Sequence, residues 1–414
     1  MFYPFQQREK PSCKAAVARR IFDACDLVLL ALAFGETLHI GHAIMNITSL
    51  TLWHLPLTSH IAYNMSDGKI CDTVTSCILR LESDAGLTGW GEVCPIPHYL
   101  PAYADGVAPA LAELAPVIFA RDGLALGVEG MIRAADMYLQ GHDYAKSPLD
   151  LALWDLTARA AGLPLHAFLG GLQSKRLPLY HSISCLAPDE MARIAAEETG
   201  RGITQIQVKL GADRNNEADI ARLRRVREAV PAGTLVYGDW NCGASRLDAT
   251  RVGRAVADLD IMLEQPCATL EECAAVRDAT GLAMKIDENG HDTASLIRGW
   301  QLGCMDAVAL KLSKFGGLST MRRARDLCLD LGVKMCIEDT WGSDITTSAA
   351  LHLAAATPLS GIMNVCDLSG YVEPRLDPSA PTREGGYITP STAPGIGVNP
   401  DLDLLGAPVL ELTA

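Results

Sequence analysis

The chain has 414 residues, 49% of them hydrophobic, and a formal net charge of −14 at pH 7. That length supports one large core or two or three domains, and the acidic balance leaves no basic stripe to neutralise phosphates, so a small-molecule partner is expected and a nucleic acid is not. Its thirteen cysteines are scattered without a C-x-x-C pair, which indicates neither a disulfide framework nor a zinc knuckle and fits reduced thiols in a cytoplasm.

Residues 1–44 lack strand alternation and read as an extension, either a flexible arm or an upstream start. Their longest apolar run, Leu27 to Phe34, is too short to span a bilayer and has Asp23 and Asp26 at its front edge, so neither a membrane anchor nor a secretion signal is expected. "MNITSLTLWHLPL" from Met45 reads as a first strand. "TVTSCILRLESDAGLTGWGEV" (73–93) adds two more, joined at the turn signal Asp84-Ala85-Gly86, which makes an antiparallel meander. From about residue 105 to 170 the pattern is helical; in "SPLDLALWDLTARAAGLPLHAFLGG", Ser147 and Pro148 mark a start and Gly162 a stop. Residues 45–170 are therefore expected to form an α+β capping domain.

After Pro178 eight short apolar runs recur with helical segments between them: "LPLYHSISC", "ITQIQVKLG", "GTLVYGDWN", "DIMLEQP", "LAMKIDENG", "MDAVALKLS", "VKMCIEDTWG" and "GIMNVCD". Such alternation predicts parallel strands with helical crossovers, and eight of them predict a closed barrel over residues 171–370. An open doubly wound sheet is the competing architecture, but no glycine-rich dinucleotide fingerprint follows the first strand. Residues 371–414 are expected to return to the cap.

Polar residues end these runs. Lys209, Asp239, Glu264, Asp287 and Lys311 each fall where a strand gives way to its loop, and the last four follow one another at intervals of 25, 23 and 24 residues. One such interval is one strand–helix unit, and successive strand ends of a barrel converge on one mouth. Three carboxylates meeting there repel one another unless a cation lies between them. An oxygen-only set without His or Cys favours Mg²⁺. Asn241, two residues beyond Asp239, is a candidate hydrogen-bonding group beside that site. Lys209 and Lys311 flank the acids by one unit on either side. A carboxylate substrate bound to Mg²⁺ has an acidified α-proton, because the metal stabilises the enediolate left behind, and an amine on either face can remove or return that proton. For this, at least one lysine is expected to have a lowered pKa.

The pattern resembles the enolase superfamily, specifically its muconate-lactonizing-enzyme-like branch. The likeness covers residues 45–414 and rests on "GWGE" (89–92), "FLGG" (168–171), "DWN", "EQP", "DE" (287–288) and "KLSKFGG" (311–317). It implies a (β/α)7β modified TIM barrel with an N-terminal α+β capping domain. It also implies Asp239, Glu264 and Asp287 as Mg²⁺ ligands, Lys209 and Lys311 as the acid/base pair, and a homo-oligomer. One position departs: the branch commonly has Lys-x-Lys on the second barrel strand, where this chain has Gln207-Val208-Lys209. "GHDYAKSPLD" (141–150), "IQVKLGA" and "EDTWGSDI" (338–345) are similar to members acting on ring-nitrogen carboxylates, the cis-3-hydroxy-L-proline dehydratases and hydroxyproline betaine epimerases. That narrower likeness implies dehydration of cis-3-hydroxy-L-proline to Δ1-pyrroline-2-carboxylate, or else epimerisation of a betaine or related amino acid. Asp339, Trp341 and Asp367 are then candidates to hold the ring nitrogen. Two cap loops are expected to close the mouth, one carrying Tyr63 and Asp67, the other His98, Tyr99 and Tyr103.

Overall fold

Three antiparallel strands begin the described part of the chain, residues 45–414 of a computed structural model: β1 (Ile47–Asn64), β2 (Ile70–Ser83) and β3 (Thr88–Val93). The extension expected over residues 1–44 lies outside the described residues. In the β1–β2 register Leu50 faces Leu81 and Leu52 faces Leu79, and all four are fully buried, so these apolar positions form one inward surface. The turn expected at Asp84–Gly86 is present, with Gly86 at φ +71° and its N–H donating to the Ser83 carbonyl at 2.9 Å.

A long helix, Asp143–Ala160, lies directly on β3. This explains the two glycines of "GWGE": a Cβ on Gly91 would sit 1.9 Å from the Pro148 carbonyl oxygen, and one on Gly89 would sit 2.2 Å from that of Ala152. The helix starts four residues before the expected Ser147 and holds Pro148 inside it. A proline this close to the helix start removes a single backbone bond, which burial of nearly the whole helix outweighs.

Beyond β4 (Leu177–Pro178) come the eight expected barrel strands: β5 (His181–Ile183), β6 (Gln205–Lys209), β7 (Leu235–Asp239), β8 (Ile261–Glu264), β9 (Ala283–Ile286), β10 (Ala307–Lys311), β11 (Lys334–Glu338) and β12 (Ile362–Val365). They pair in parallel in strict chain order, and a parallel bridge between Leu179 and Val365 joins the two edges. Helical crossovers separate consecutive strands, so the expected (β/α)7β barrel with its N-terminal cap is the fold observed.

The remaining strands are β13 (Val372–Glu373), β14 (Tyr387–Ile388) and β15 (Leu410–Thr413). β14 pairs with β4, while β13 and β15 both add to β1. Cap and barrel meet through Glu92 of β3, which is fully buried. It accepts from the Ser343 N–H at 2.9 Å and the Thr346 N–H at 2.9 Å, capping the barrel helix Asp344–Ala355 with a carboxylate where the helix dipole favours one. Among the described residues every cysteine is free, and no helix is long and apolar enough to cross a membrane.

Candidate active site

Strand register places the charged residues in a row. Lys209 on β6 pairs with Asp239 on β7, Asp239 with Glu264 on β8, and Glu264 with Lys285 on β9. Residues opposite one another across a ladder share a face, so all four point into the barrel. Asp287 lies two residues beyond Lys285. On the far side Lys311 of β10 pairs with Glu338 of β11. β6 and β10 stand four strands apart in a ring of eight, which puts the Lys209 and Lys311 amines on opposite sides of the mouth.

Each amine is held by carboxylates. Lys209 Nζ lies 2.5 Å from Asp239 Oδ2 and 3.0 Å from Asn241 Oδ1. Lys311 Nζ donates to Asp287 Oδ2 at 2.8 Å and to the Tyr99 hydroxyl at 2.6 Å. Lys314 Nζ reaches Asp287 Oδ1 at 2.8 Å. The Gln207 amide donates to Glu264 Oε2 at 2.7 Å and to Asp239 Oδ2 at 3.2 Å, so the residue that departs from Lys-x-Lys bridges two of the three acids. Asn241 (φ 44°), Cys242 (φ 67°) and Gln265 (φ 32°) sit in the left-handed region just past these strand ends, strain of the kind that collects at functional sites.

The electrostatics follow from crowding in a dry site. Burial pushes Glu264 up to about 7 against the pull of Lys285, with the charges of Asp239 and Asp287 adding to the rise. Burial, Asp287 and Asp239 together push Glu288 up to about 8. Burial also acts to raise Asp287, but Lys311, Lys314 and Lys285 hold it far below the usual carboxylate range. The lowered amine expected for one lysine is not what this arrangement produces. Burial does disfavour both charges, yet Asp239 and Glu264 raise Lys209 and Asp287 and Glu338 raise Lys311 above the ordinary value.

Among the described residues no three His, Cys, Asp or Glu side chains are gathered closely enough to grip one ion; Asp239 and Asp287 turn oxygens toward Lys209 and Lys311 instead. The chemistry of Asp239, Glu264 and Asp287 still suits a hard divalent cation. The donors are carboxylate oxygens alone, and Glu264 Oε1, buried without a hydrogen bond, already faces one cation, the Lys285 ammonium at 2.9 Å.

Above this floor is a cavity of about 70 Å³, room for a small molecule and for no polymer. Tyr63, Gln207, Lys209, Asn241, Lys311, Asp339 and Trp341 all line it. Tyr63 donates to the Ser182 carbonyl at 3.1 Å and meets Trp341 edge to face with centroids 5.3 Å apart. Asp339 accepts from the Ser313 and Thr340 N–H groups at 3.1 and 2.6 Å and from the Ser313 hydroxyl; burial outweighs these bonds and pushes it up to about 6. Asp367 is not brought here. It lines a neighbouring cavity with His181, Glu198 and Arg383. Of the other cap residues, Tyr99 also reaches the site, whereas Asp67 pairs with Arg214 at 2.8 Å outside it.

Three charged residues at the site escaped the sequence reading. Lys285 lies two positions before Asp287, hence on the same face of β9. Glu338 immediately precedes Asp339 and accepts the Tyr180 hydroxyl at 2.5 Å. Lys314, one helical turn after Lys311, stands in "KLSKFGG", where only Lys311 falls at a strand end.

Residues 48–170 match the family model for the mandelate racemase / muconate lactonizing enzyme N-terminal domain, and residues 190–404 match the enolase C-terminal domain-like model. The chain belongs to the enolase superfamily. It is similar to the cis-3-hydroxy-L-proline dehydratase of Roseibium aggregatum, with 40% identity over 367 residues that cover 88% of this chain and 99% of that protein. It is also similar to the L-Ala-D/L-Glu epimerase of Bacillus subtilis, with 28% identity over 289 residues, 69% of this chain and 78% of the other. Among solved structures, an enolase superfamily member from Roseovarius nubinhibens ISM complexed with magnesium superposes with a TM-score of 0.83 at 35% identity, covering 89% of this chain and 100% of that one. With a dehydratase and an epimerase among its relatives, the superfamily chain is an enzyme.

Proposed function

We propose that this enzyme is a Mg²⁺-dependent hydro-lyase that dehydrates cis-3-hydroxy-L-proline to Δ1-pyrroline-2-carboxylate. The observation that carries the proposal is the pair of lysines lining one small cavity from opposite sides of the barrel, with Asp239, Glu264 and Asp287 at the ends of the strands between them, in a chain 40% identical to a cis-3-hydroxy-L-proline dehydratase over 99% of that protein's length. Asp239, Glu264 and Asp287 would hold the ion. Mg²⁺, when bound, would draw electron density from the substrate carboxylate and so acidify the α-hydrogen.

The chain's own residues do the rest. In the cis isomer the hydroxyl lies on the same ring face as the carboxylate and therefore anti to the α-hydrogen on the neighbouring carbon. One amine takes the α-proton from one face; the C–H electron pair becomes the new C=C bond; the C3–O bond breaks, and the opposite amine supplies the proton that lets the oxygen leave as water. The enamine product then tautomerises to the cyclic imine. Carboxylates that pair with Lys209 and Lys311 in this structure would turn to the cation and leave the amines free for this exchange. Tyr63, Trp341 and the Asp339 carboxylate, which line the same cavity, would receive the substrate's ring nitrogen, while Gln207 and Asn241 orient the acids. Asp367 is left out of this assignment because it faces the neighbouring cavity.

Epimerisation is the second reading, favoured by the resemblance to an epimerase and by the same two amines, which could remove and return one proton. Incubating the protein with cis-3-hydroxy-L-proline, its trans isomer and a proline betaine in D₂O separates the two by NMR. Loss of hydroxyl from the cis isomer alone, abolished by chelation, is expected. Deuteration of a betaine α-carbon with the cis hydroxyl retained would assign the epimerase instead, and full turnover after exhaustive chelation would remove the Mg²⁺ reading.

A further inference from the structure

Lys285 is fully buried in the barrel interior. Its Nζ lies 2.9 Å from Glu264 Oε1, but the two are not aligned as a hydrogen bond, and neither atom has another hydrogen-bond partner. Two ring faces also flank the ammonium, Tyr237 with its centroid at 4.9 Å and Tyr180 at 5.5 Å, and the charges of Glu338 and Asp287 act on it from further off. Packing alone gives no reason for a cation here. An apolar side chain of the same length would fill the space and avoid the cost of desolvating an ammonium whose donors stay unmade. What Lys285 supplies is therefore electrostatic, and its nearest recipient is Glu264.

Glu264 is held from two directions. Its Oε2 accepts from the Gln207 amide at 2.7 Å, and its Oε1 faces Lys285. Gln207 is neutral, so on this side of the site the negative charges of Asp239 and Glu264 meet a full positive charge at Lys209, which contacts Asp239, and at Lys285, which contacts Glu264. We propose that Lys285 is a positioning residue for metal binding: it fixes the Glu264 carboxylate in register with Asp239 and balances its charge, doing from the fifth barrel strand what a cation at position 207 would do from the second.

This inference rests on the reading of Glu264 as a Mg²⁺ ligand, and it predicts a sign. Simple Coulomb repulsion says that removing a buried cation should tighten Mg²⁺ binding. The positioning role says that binding should weaken, because partners that orient metal ligands are worth about 10–100-fold in affinity. Mg²⁺ alone is titrated calorimetrically into the wild type, Glu264→Gln, Lys285→Met and the double variant Gln207→Lys/Lys285→Met, with thermal unfolding in chelator as the control for folding. Lys285→Gln, which is polar but uncharged, replaces the methionine variant if that one does not fold. A dissociation constant raised at least about tenfold in Lys285→Met, and substantially restored when the lysine is moved to position 207, is the expected result. Unchanged or tighter binding in Lys285→Met, with Glu264→Gln impaired, would overturn the proposal, as would a double variant no better than the single one. Wild-type affinity in Glu264→Gln would instead overturn the reading of Glu264 as a ligand, and the two failures are thereby distinguished.

Discussion

Replacing Glu92 should loosen the joint between cap and barrel by an amount that depends on what replaces it. The carboxylate is fully buried. Oε1 accepts from the Ser76 hydroxyl at 2.6 Å and the Ser343 N–H at 2.9 Å. Oε2 accepts from the Ser343 hydroxyl at 2.8 Å, the Thr346 N–H at 2.9 Å and the Thr346 hydroxyl at 2.7 Å. Glu92→Ala strips two backbone N–H groups and three hydroxyls of their acceptor. The hydroxyls can rotate toward one another; the N–H groups cannot. At about 1–3 kcal/mol for each buried donor left unmade, and more for bonds to a charge, the loss should be ~3–5 kcal/mol. Glu92→Gln should cost only ~1–2 kcal/mol. Its amide oxygen can take the Oε2 position, where the Thr346 and Ser343 N–H groups still reach it at 2.9 and 3.1 Å, while its NH₂ turns to the Ser76 hydroxyl. Urea unfolding midpoints, read at constant m-value, measure both changes. A Glu92→Ala variant destabilised by less than about 1 kcal/mol, or one no worse than Glu92→Gln, would refute the view that this carboxylate pins the cap to the helix beneath it.

Two further outcomes are expected. Lys209→Ala and Lys311→Ala should each lower dehydration by at least ~10²-fold with the fold retained, and the variant lacking the base should also lose exchange of the substrate α-proton in D₂O, whereas the variant lacking the acid should keep it; near-wild-type turnover in either would break the two-amine scheme. Stability should also fall as pH drops below about 6.5, the ordinary histidine value at which His352, fully buried in the fold, titrates once the chain unfolds. Burial, with His166 adding to it, pushes this histidine down to about 3. It is neutral in the fold, with Nε2 3.1 Å from the Ile396 carbonyl and Nδ1 3.0 Å from His166 Nδ1. Because the folded pKa is depressed, its contribution is fully present above 6.5 and shrinks by up to ~1.4 kcal/mol per pH unit toward 3, where only the unfolded chain binds the proton. Comparing urea midpoints at pH 7.5 and 5 in the wild type and in His352→Gln isolates this part, which should be missing from the variant; equal declines in both would contradict it.

The barrel was legible because each of its strands is a short apolar run ending in a polar residue, and burial on both faces leaves a parallel strand no other pattern to show. The spacing of Asp239, Glu264, Asp287 and Lys311 was legible for the same reason. Lys285 and Glu338 were not, since what brings them in is the ladder: Glu264 opposite Lys285 and Lys311 opposite Glu338 are facts of pairing, which a one-dimensional interval does not contain. Asp367 was misplaced by the complementary difficulty. It follows the last strand, but the 3₁₀ turn that begins at Leu368 sets which cavity the preceding side chain meets. The start of the helix at Asp143 was hidden because Ser147-Pro148 carries a strong local start signal that packing against β3 overrides. The raised amines belong to the same class, because their pairing with carboxylates depends on side-chain geometry across strands.

β15 has a consequence for how the molecule must be made. Its four residues pair with β1, Ser49 opposite Thr413 and Leu52 opposite Leu410, so one sheet of the cap is assembled from segments on either side of the barrel in sequence, with the entire barrel threaded between them. During synthesis the β1–β3 strands leave the ribosome well before Leu410–Thr413 and wait, one edge bare, until that segment emerges. An unpaired strand edge is a template for other chains, and contacts this distant in sequence are late and slow to form. A stop codon just before Leu410 would spare every residue of the catalytic cavity and still leave β1 open, so such truncations should be lost from cells by aggregation or degradation of a chain whose chemistry is intact.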